Sequence, residues 1–170
     1  MLIILSGLPG TGKTTIAREL ARQIGAMHIR IDSIEQALRN TGLAVEEEGY
    51  RVAYALAEDN LRLGCTVIAD SVNPLQLTRD AWRNVAKCAG MQSIDFEIIC
   101  SDTSIHQLRV ETRQSDIKGH KIPTWQTVCA RDYHPWNEAR TIIDTASESL
   151  ESSVARIRTL NAPHPSFAQT

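Results

Sequence analysis

The glycine-rich stretch GLPGTGKT, residues 7–14, constrains this chain more than any other part of the sequence. Its spacing, G-x-x-x-x-G-K-T, is the pattern of the phosphate-binding P-loop. Gly10 and Gly12 have no Cβ, so the backbone can adopt positive φ and turn its N–H groups inward around an anion. Lys13 supplies a positive charge for the outer phosphates, and the Thr14 hydroxyl is placed to coordinate Mg²⁺. The predicted phosphate-binding residues are Gly7, Leu8, Pro9, Gly10, Thr11, Gly12, Lys13, Thr14 and Thr15.

The residues on both sides of this stretch favour a P-loop over a simple glycine-rich turn. Residues 2–5 are a short apolar run that predicts a buried strand, and residues 13–24 place apolar side chains on one face of a helix. A strand, a glycine-rich loop and a helix, in that order, are the context that the motif requires. The N-terminus of the helix would add its own attraction for phosphate.

Strand and helix patterns alternate along the rest of the chain. The predicted strands are residues 2–5, 27–31, 66–69, 94–100 and 141–143, and the predicted helices are residues 13–24, 33–39, 46–63, 74–88, 104–114, 125–131 and 147–160. This alternation predicts an α/β fold in which helices cover both faces of a five-stranded parallel sheet. We expect one domain over residues 1–160 and a frayed tail over residues 161–170.

Composition and charge argue against several classes of protein. The formal net charge of −2 gives no general attraction to nucleic acid or to an anionic membrane, so a nucleic-acid substrate would need a local basic patch. The four cysteines are scattered without C-x-x-C spacing, and we expect small apolar core residues in a reducing cytosol. No apolar run approaches the length of a membrane span, and the start lacks a signal-peptide layout. We therefore expect a cytoplasmic protein with no membrane partner.

Carboxylates stand at or next to the ends of three predicted strands, at Asp32, Asp70 and Asp144. Ligands of open parallel sheets bind beyond the carboxyl ends of the strands. An isolated aspartate in such a place is often only a helix N-cap. Beside a P-loop, however, Mg²⁺ needs carboxylates near its coordination sphere, and phosphoryl transfer benefits from a group that orients the acceptor hydroxyl.

Two arginines precede a loop that we predict to be a lid over residues 115–124, which contain Gly119 and Pro123. Arg109 and Arg113 are four residues apart, so on one helix they would share a face. The alternative is a solvated charged stripe. Their position after the fourth strand favours phosphate contacts, since the planar arginine fork can hold two phosphate oxygens. A lid of this kind would exclude water during transfer.

Taken together, these stretches resemble the small P-loop kinases with an AAA-type ATP-binding domain. The resemblance rests on the P-loop, on Asp32, on ADSVNPLQLTRDAWRNVA (residues 69–86) and on the two arginines, and it covers residues 1–146. Residues 69–86 are especially similar to the kinase domain of polynucleotide 5′-hydroxyl kinases, and adenylylsulfate kinase and zeta-toxin-like phosphotransferases are related. The resemblance implies a three-layer P-loop NTPase sandwich with the sheet order 2-3-1-4-5.

The resemblance also implies roles for individual residues. Asp32 would orient or deprotonate the acceptor hydroxyl, Asp70 would lie near the metal and the substrate, and Arg109 and Arg113 would hold the phosphates. One departure limits the transfer of function: several of these kinases have an arginine three or more residues after the acceptor aspartate. Here the third residue after Asp32 is Glu35, and the nearest downstream arginine is Arg39, one helical turn further. We therefore do not extend the resemblance to a phosphorylated acceptor or to adenylylsulfate kinase activity.

The favoured hypothesis is a kinase that moves the γ-phosphoryl group of ATP, with Mg²⁺, to a hydroxyl on a small molecule or on a nucleic acid end. GTP stays open as a donor. The alternative is an ATPase or nucleotide-dependent switch that acts on a protein partner. Residues 46–48 are three glutamates, which form either a solvated helix start or a rim that repels polyanions. Tyr50 and Tyr54 serve either packing or substrate stacking.

Overall fold

The computed structural model describes residues 1–161, in which five strands alternate with seven helices. The strands are β1 Leu2–Ser6, β2 Met27–Arg30, β3 Val67–Asp70, β4 Ser93–Ile99 and β5 Thr141–Asp144. The helices are α1 Lys13–Ile24, α2 Ile31–Asn40, α3 Glu48–Arg62, α4 Gln76–Cys88, α5 Thr103–Thr112, α6 Trp125–Cys129 and α7 Leu150–Asn161. The predicted frayed tail lies outside the described residues, apart from Asn161 at the end of α7.

The sheet has the order β2-β3-β1-β4-β5, and every neighbouring pair of strands is parallel. β1 is the central strand, and all five of its residues are buried. Parallel strands require crossover connections, which here contain helices on both faces of the sheet. The predicted fold class and sheet order are confirmed.

Two apolar clusters lie on opposite faces of the sheet, since alternate side chains of β1 point to opposite sides. Leu2 and Ile4 pack with residues of α3 and α4, while Ile3 and Leu5 pack with residues of α1 and α7. The result is a three-layer sandwich that fixes the P-loop at the carboxyl end of its central strand. Within residues 1–161, no helix is long and apolar enough to cross a membrane.

Two helix starts differ from the prediction. Arg30 keeps an extended backbone and α2 begins at Ile31, so Asp32 lies in the first turn of a helix rather than just beyond a strand. α4 begins at Gln76 rather than at residue 74. Asn73 is held in the left-handed region, at a φ of 46°, and its amide donates to Ser6 Oγ across 3.0 Å, which delays the helix.

The last turn of α5 and the start of α7 also differ from the prediction. α5 ends at Thr112, and Arg113 has an extended backbone. Arg109 and Arg113 therefore do not share one helical face. A turn follows β5 and moves the start of α7 to Leu150.

The expectation that the cysteines are core residues is correct only for Cys100. Cys65, Cys88 and Cys129 are exposed. Cys65 follows a turn at Gly64, and the other two are the last residues of α4 and α6, where a chain emerges from the core.

Candidate active site

The loop between β1 and α1 has the backbone conformation that the motif predicts. Gly7, Gly10 and Gly12 have φ values of 141°, 87° and 95°, which favour glycine. A Cβ at Gly7 would collide with the carbonyl of Ile98, and one at Gly10 would lie 2.5 Å from a methyl group of Val110. Gly12 is the N-cap of α1, and within the described residues no side chain caps that helix end. Its first N–H groups are therefore available to an anion.

Lys13 is the first residue of α1, directly after the loop, and only 7% of its surface is exposed. Its Nζ donates to the carbonyl oxygen of Leu8 across 2.9 Å. Burial lowers the pKa of Lys13 to about 8, and the charges of Asp70 and Asp32 oppose that shift. Lys13 is therefore close enough to both predicted aspartates for their charges to favour its protonated form.

Asp70 ends β3 with 3% of its surface exposed. Burial alone would raise the pKa of Asp70, but the hydrogen bond from His28, the charge of Lys13 and the hydrogen bond from Thr14 outweigh burial and lower the pKa. His28 Nε2 is 3.1 Å from Asp70 Oδ2. An ionised carboxylate next to the Thr14 hydroxyl is an oxygen donor set that suits Mg²⁺.

Asp32 faces the same cleft from the first turn of α2 and is partly exposed. Its Oδ2 is 3.7 Å from Arg30 Nη2. Asp144, the third carboxylate at a strand end, has a different environment: it accepts hydrogen bonds from the backbone and hydroxyl of Ser101. The structure thus brings Asp32 and Asp70 to the P-loop, whereas Asp144 ties the ends of β4 and β5 together.

The segment between α5 and α6, residues 113–124, contains the predicted lid. Asp116 holds this segment against the body of the protein: its carboxylate accepts hydrogen bonds from Arg30 Nη1 at 2.9 and 3.0 Å and pairs with Arg18. The hydrogen bonds from Arg18 and then Arg30 keep the pKa of Asp116 far below its usual range. The predicted lid is therefore tied to α1 and to the start of α2.

Arg109 and Arg113 have different surroundings. Arg109 donates to Thr145 Oγ1 and to the Thr145 carbonyl at 2.8 and 3.0 Å, and Thr145 Oγ1 donates to the Thr11 carbonyl at 2.9 Å. Arg109 thus braces the P-loop through the turn that follows β5. Arg113 borders the cleft, and its charge contributes to the lowered pKa of Lys13.

Three residues near the site were not identified from the sequence. Arg131, just beyond α6, borders the cleft and also lowers the pKa of Lys13. His28 contacts Asp70, and His106 Nε2 lies 2.8 Å from the Pro9 carbonyl. These contacts join segments that are distant in sequence, so local spacing gives no signal for them.

Most of these residues border one cleft of about 1670 Å³, although His28, His106 and Asp144 do not. We divide it into the P-loop half, bordered by residues from segments 9–16, 109–113 and 131, and the α2–α3 half, bordered by residues from segments 32–39, 46–54 and 71–75. Residues 119–123 of the predicted lid also border the cleft. Lys13, Asp32 and Asp70 lie where the two halves meet. The space continues past the P-loop, so a second molecule can lie beside a bound nucleotide.

The sequence matches the family model described as AAA domain over residues 2–131. The match includes the P-loop, both aspartates, both arginines and the lid.

Two curated relatives have similar sequences. An uncharacterised protein of Mycobacterium tuberculosis is 42% identical over 48 residues, which are 28% of this chain and 10% of that protein. This chain therefore spans only a small part of that longer relative. The "Probable adenylyl-sulfate kinase" of Aeropyrum pernix is 25% identical over 171 residues, with 94% of this chain and 91% of the relative covered.

Solved structures with low sequence identity share the fold. A sugar kinase from Janibacter has a TM-score of 0.68 and 19% identity, with 99% of this chain and 98% of that chain covered. Kti12 from Chaetomium thermophilum, in complex with ADP-AlF3, has a TM-score of 0.70 and 21% identity, with 96% and 100% covered.

Proposed function

The chain belongs to the AAA domain family, and from that premise we propose that it is a Mg²⁺- and ATP-dependent phosphotransferase with a hydroxyl acceptor. The observation that carries the proposal is the position of Lys13. It lies in the P-loop close to both Asp32 and Asp70, where the two halves of the cleft meet. Relatives named as a sugar kinase and an adenylyl-sulfate kinase support a small-molecule acceptor.

In this proposal the P-loop half holds the donor. The N–H groups of Gly10 and of residues 12–15 would surround the β- and γ-phosphates, since Pro9 has no N–H and the N–H groups of Gly7 and Thr11 donate to the carbonyls of Val72 and Leu8. Lys13 would place its charge beside them. Thr14 and Asp70 would hold Mg²⁺ together with the phosphates, directly and through water. When bound, the metal ion neutralises charge on the phosphate oxygens.

The transfer step depends on positioning and charge stabilisation more than on covalent chemistry. Asp32 orients the acceptor hydroxyl towards the γ-phosphorus and accepts its proton as the new O–P bond forms. The bond between the γ-phosphorus and the β–γ bridging oxygen breaks in the same step, and ADP leaves. Lys13, Arg113 and Arg131 surround the transferring group with positive charge. The lid excludes water, which would otherwise compete with the acceptor.

A screen with γ-labelled ATP tests the proposal. Acceptors would include nucleosides, oligonucleotides with a 5′-hydroxyl, sugars and aminoglycosides, and Lys13→Ala would serve as the control. We expect label in an acceptor and loss of transfer by orders of magnitude in Lys13→Ala, because that change removes charge from the transferring group. Full activity in folded Lys13→Ala would contradict the role of Lys13.

The same screen distinguishes a kinase from the alternative, which is an ATPase or switch with a protein partner. A kinase hydrolyses ATP slowly alone and transfers label once its acceptor is present. The switch would be favoured if ATP hydrolysis were accelerated by a protein partner and no acceptor took up label. The cleft beyond Lys13 favours the kinase, since a switch needs no room there for a second small molecule.

A further inference from the structure

We infer that the acceptor carries no phosphate, sulfate or carboxylate group and is instead an uncharged or amine-bearing polyol. The inference rests on the proposed phosphotransfer and concerns the α2–α3 half of the cleft. It follows from the charges, the ion pairs and the neutral hydroxyl groups of that half.

The charges of the two halves differ. Four carboxylates border the α2–α3 half, from Asp32, Glu35, Glu46 and Glu47, against two cations, Arg39 and Arg51. The P-loop half, in contrast, is bordered by Lys13 together with several arginines. One half of the cleft thus suits a polyanion such as ATP, and the other disfavours a second one.

Both cations of the α2–α3 half already have carboxylate partners. Arg39 Nη2 lies 2.8 Å from Glu35 Oε2, one helical turn away, and Arg51 Nη1 lies 3.8 Å from Glu47 Oε1. Arg30, at the start of α2, is held by Asp116. Among the described residues of α2, α3, their connecting loop and residues 71–75, every cation has a carboxylate partner within 4 Å.

The Glu35–Arg39 pair is fixed by packing. Glu35 lies against α3 at Gly49, so closely that a Cβ at position 49 would collide with the Glu35 side chain. Only 18% of that side chain is exposed. To pair with Arg39, an acidic acceptor would have to displace Glu35, which packing holds in place. The acceptor's negative charge would then lie next to the Glu35 carboxylate.

The same half also presents neutral hydroxyl groups. Ser71 borders the cleft with 5% of its surface exposed, and its hydroxyl lies next to the hydroxyl of Tyr50. The ring of Tyr50 borders the same space, and burial raises the pKa of its hydroxyl, which therefore stays neutral. A neutral hydroxyl can donate to and accept from the hydroxyl groups of a polyol.

By this inference, the acceptor of this chain differs from the substrate in the name of its Aeropyrum relative. Adenylyl sulfate is an anion, and an enzyme that accepts it needs cations in the acceptor site. The 25% identity to that relative extends over nearly the whole chain, but the acceptor chemistry is expected to differ.

The direct test measures anion binding while the P-loop half is filled. Protein saturated with Mg²⁺ and a non-hydrolysable ATP analogue is titrated with inorganic sulfate, and the amide resonances of α2 and α3 are followed by NMR. Glu35→Gln removes the partner of Arg39, and we expect sulfate to bind this variant at least tenfold more tightly than the wild-type protein. Glu58→Gln is the matched control, since Glu58 forms the same type of pair with Arg62 on α3 away from the cleft.

Sulfate binding to wild-type α2 and α3 as tight as in Glu35→Gln would overturn the inference. Lys121, which borders the cleft from the lid, is tested by Lys121→Gln. If wild-type protein bound sulfate there and this variant lost it, the lid would supply an anion site and the inference would also be wrong.

A second measurement compares acceptors that share one ring: glucose, glucosamine and glucuronate. We expect the kcat/KM for transfer to be at least tenfold lower for glucuronate than for the other two, and preference for glucuronate would overturn the inference. If no acceptor in this set or in the wider screen takes label, the proposed phosphotransfer fails. The sulfate titration then still decides whether this half of the cleft rejects anions.

Discussion

At the scale of single residues, Asp32 and Asp70 have environments that suit different tasks. Asp70 is buried, ionised and held by His28, so its carboxylate is fixed in place. Asp32 is partly exposed at the start of α2, open to the half of the cleft that we assign to the acceptor. A fixed, buried carboxylate suits metal binding, and an accessible one suits a hydroxyl that arrives and leaves with each turnover.

Substitution of the two aspartates should separate these tasks. We expect Asp32→Asn to reduce transfer by about 10²–10⁴-fold while the affinity for Mg²⁺ and ATP stays within a few-fold, because the change acts on the acceptor hydroxyl. Asp70→Asn should weaken nucleotide binding and raise the Mg²⁺ concentration needed for activity. Calorimetric titration and initial rates measure both effects, and loss of nucleotide binding in Asp32→Asn would reverse the assignments.

The sequence predicts the residues of this site only where local spacing carries the signal. Residues 7–15 were identified because the P-loop is one continuous motif, and Asp70 because it ends an apolar strand. Asp32 was identified from the same rule, although it lies in a helix. Arg131 and His28 were not, because only the folded sheet and the path of the chain after the lid bring them to Lys13 and Asp70.

At the scale of secondary structure, α5 connects the P-loop to the lid. His106 reaches the Pro9 carbonyl from one turn of α5, and Arg109 reaches the Thr11 carbonyl through Thr145 from the next. The lid begins where this helix ends. Movement of the lid is therefore expected to act on the helix that supports the phosphate-binding loop.

The two arginines of this region should give different kinetic effects. Arg113→Ala should reduce turnover more than ATP affinity, since a contact to the transferring phosphoryl strengthens as charge develops. Arg109→Ala should mainly weaken nucleotide binding, because it releases Thr145 from its place beside the P-loop. Steady-state kcat and KM, with nucleotide affinity measured by calorimetry, distinguish the two. Equal effects on kcat and affinity in both variants would contradict this division.

The contact of Asp116 with Arg18 and Arg30 should control the mobility of the lid. Because the folded protein depresses the pKa of Asp116, the stability that this contact contributes is fully present above the ordinary pKa of aspartate, near 3.9. It declines below that pH and is lost as the pH falls through the lower pKa of the folded protein. We expect Asp116→Asn at neutral pH to speed amide exchange across residues 113–124, whereas the wild-type lid should keep its protection down to about pH 4. Glu111→Gln, within α5, is the control. Unchanged exchange in Asp116→Asn would show that other contacts hold the lid.

The element boundaries show where sequence patterns fail. The predicted helix over residues 104–114 continues past the true end at Thr112, because its apolar spacing does not reveal that Arg113 turns towards the cleft. The predicted start at residues 73–74 fails because Asn73 is drawn into a left-handed conformation beside Ser6 of β1. In both cases a contact that is distant in sequence decides the boundary.

At the scale of the whole molecule, the fold was largely predictable and the acceptor was not. The alternation of strands and helices gave a parallel sheet with two covered faces, and the family resemblance, rather than any periodicity, gave the order of its strands. The charge difference between the halves of the cleft needed the structure. Glu46 and Glu47 are exposed at the start of α3, as the solvated-helix interpretation predicts, and they also border the cleft, which the sequence does not reveal.

One buried arginine joins the two segments on which the shape of the cleft depends. Arg79 of α4 is fully buried and donates to four backbone carbonyls, those of Asn73, Pro74, His134 and Pro135, at 2.8–3.1 Å. Its guanidinium also lies 4.1 Å from the ring centre of Trp136. These contacts tie the residues after β3, which border the cleft, to the segment that follows the lid.

Replacement of Arg79 by methionine keeps much of its volume but removes the guanidinium donor from all four carbonyls, of which Pro74 still accepts from the N–H of His134. Hydrogen bonds to a charged group contribute about 1.5–3 kcal/mol each, and unpaired buried acceptors add a penalty. We therefore expect the free energy of unfolding to fall by about 3 kcal/mol or more. For a chain of this size that corresponds to a fall in Tm of about 6–12 °C. Arg62→Met removes an exposed pair and should cost under about 1 kcal/mol. Thermal unfolding followed by circular dichroism measures both, and equal effects would mean that Arg79 does not hold the two segments together.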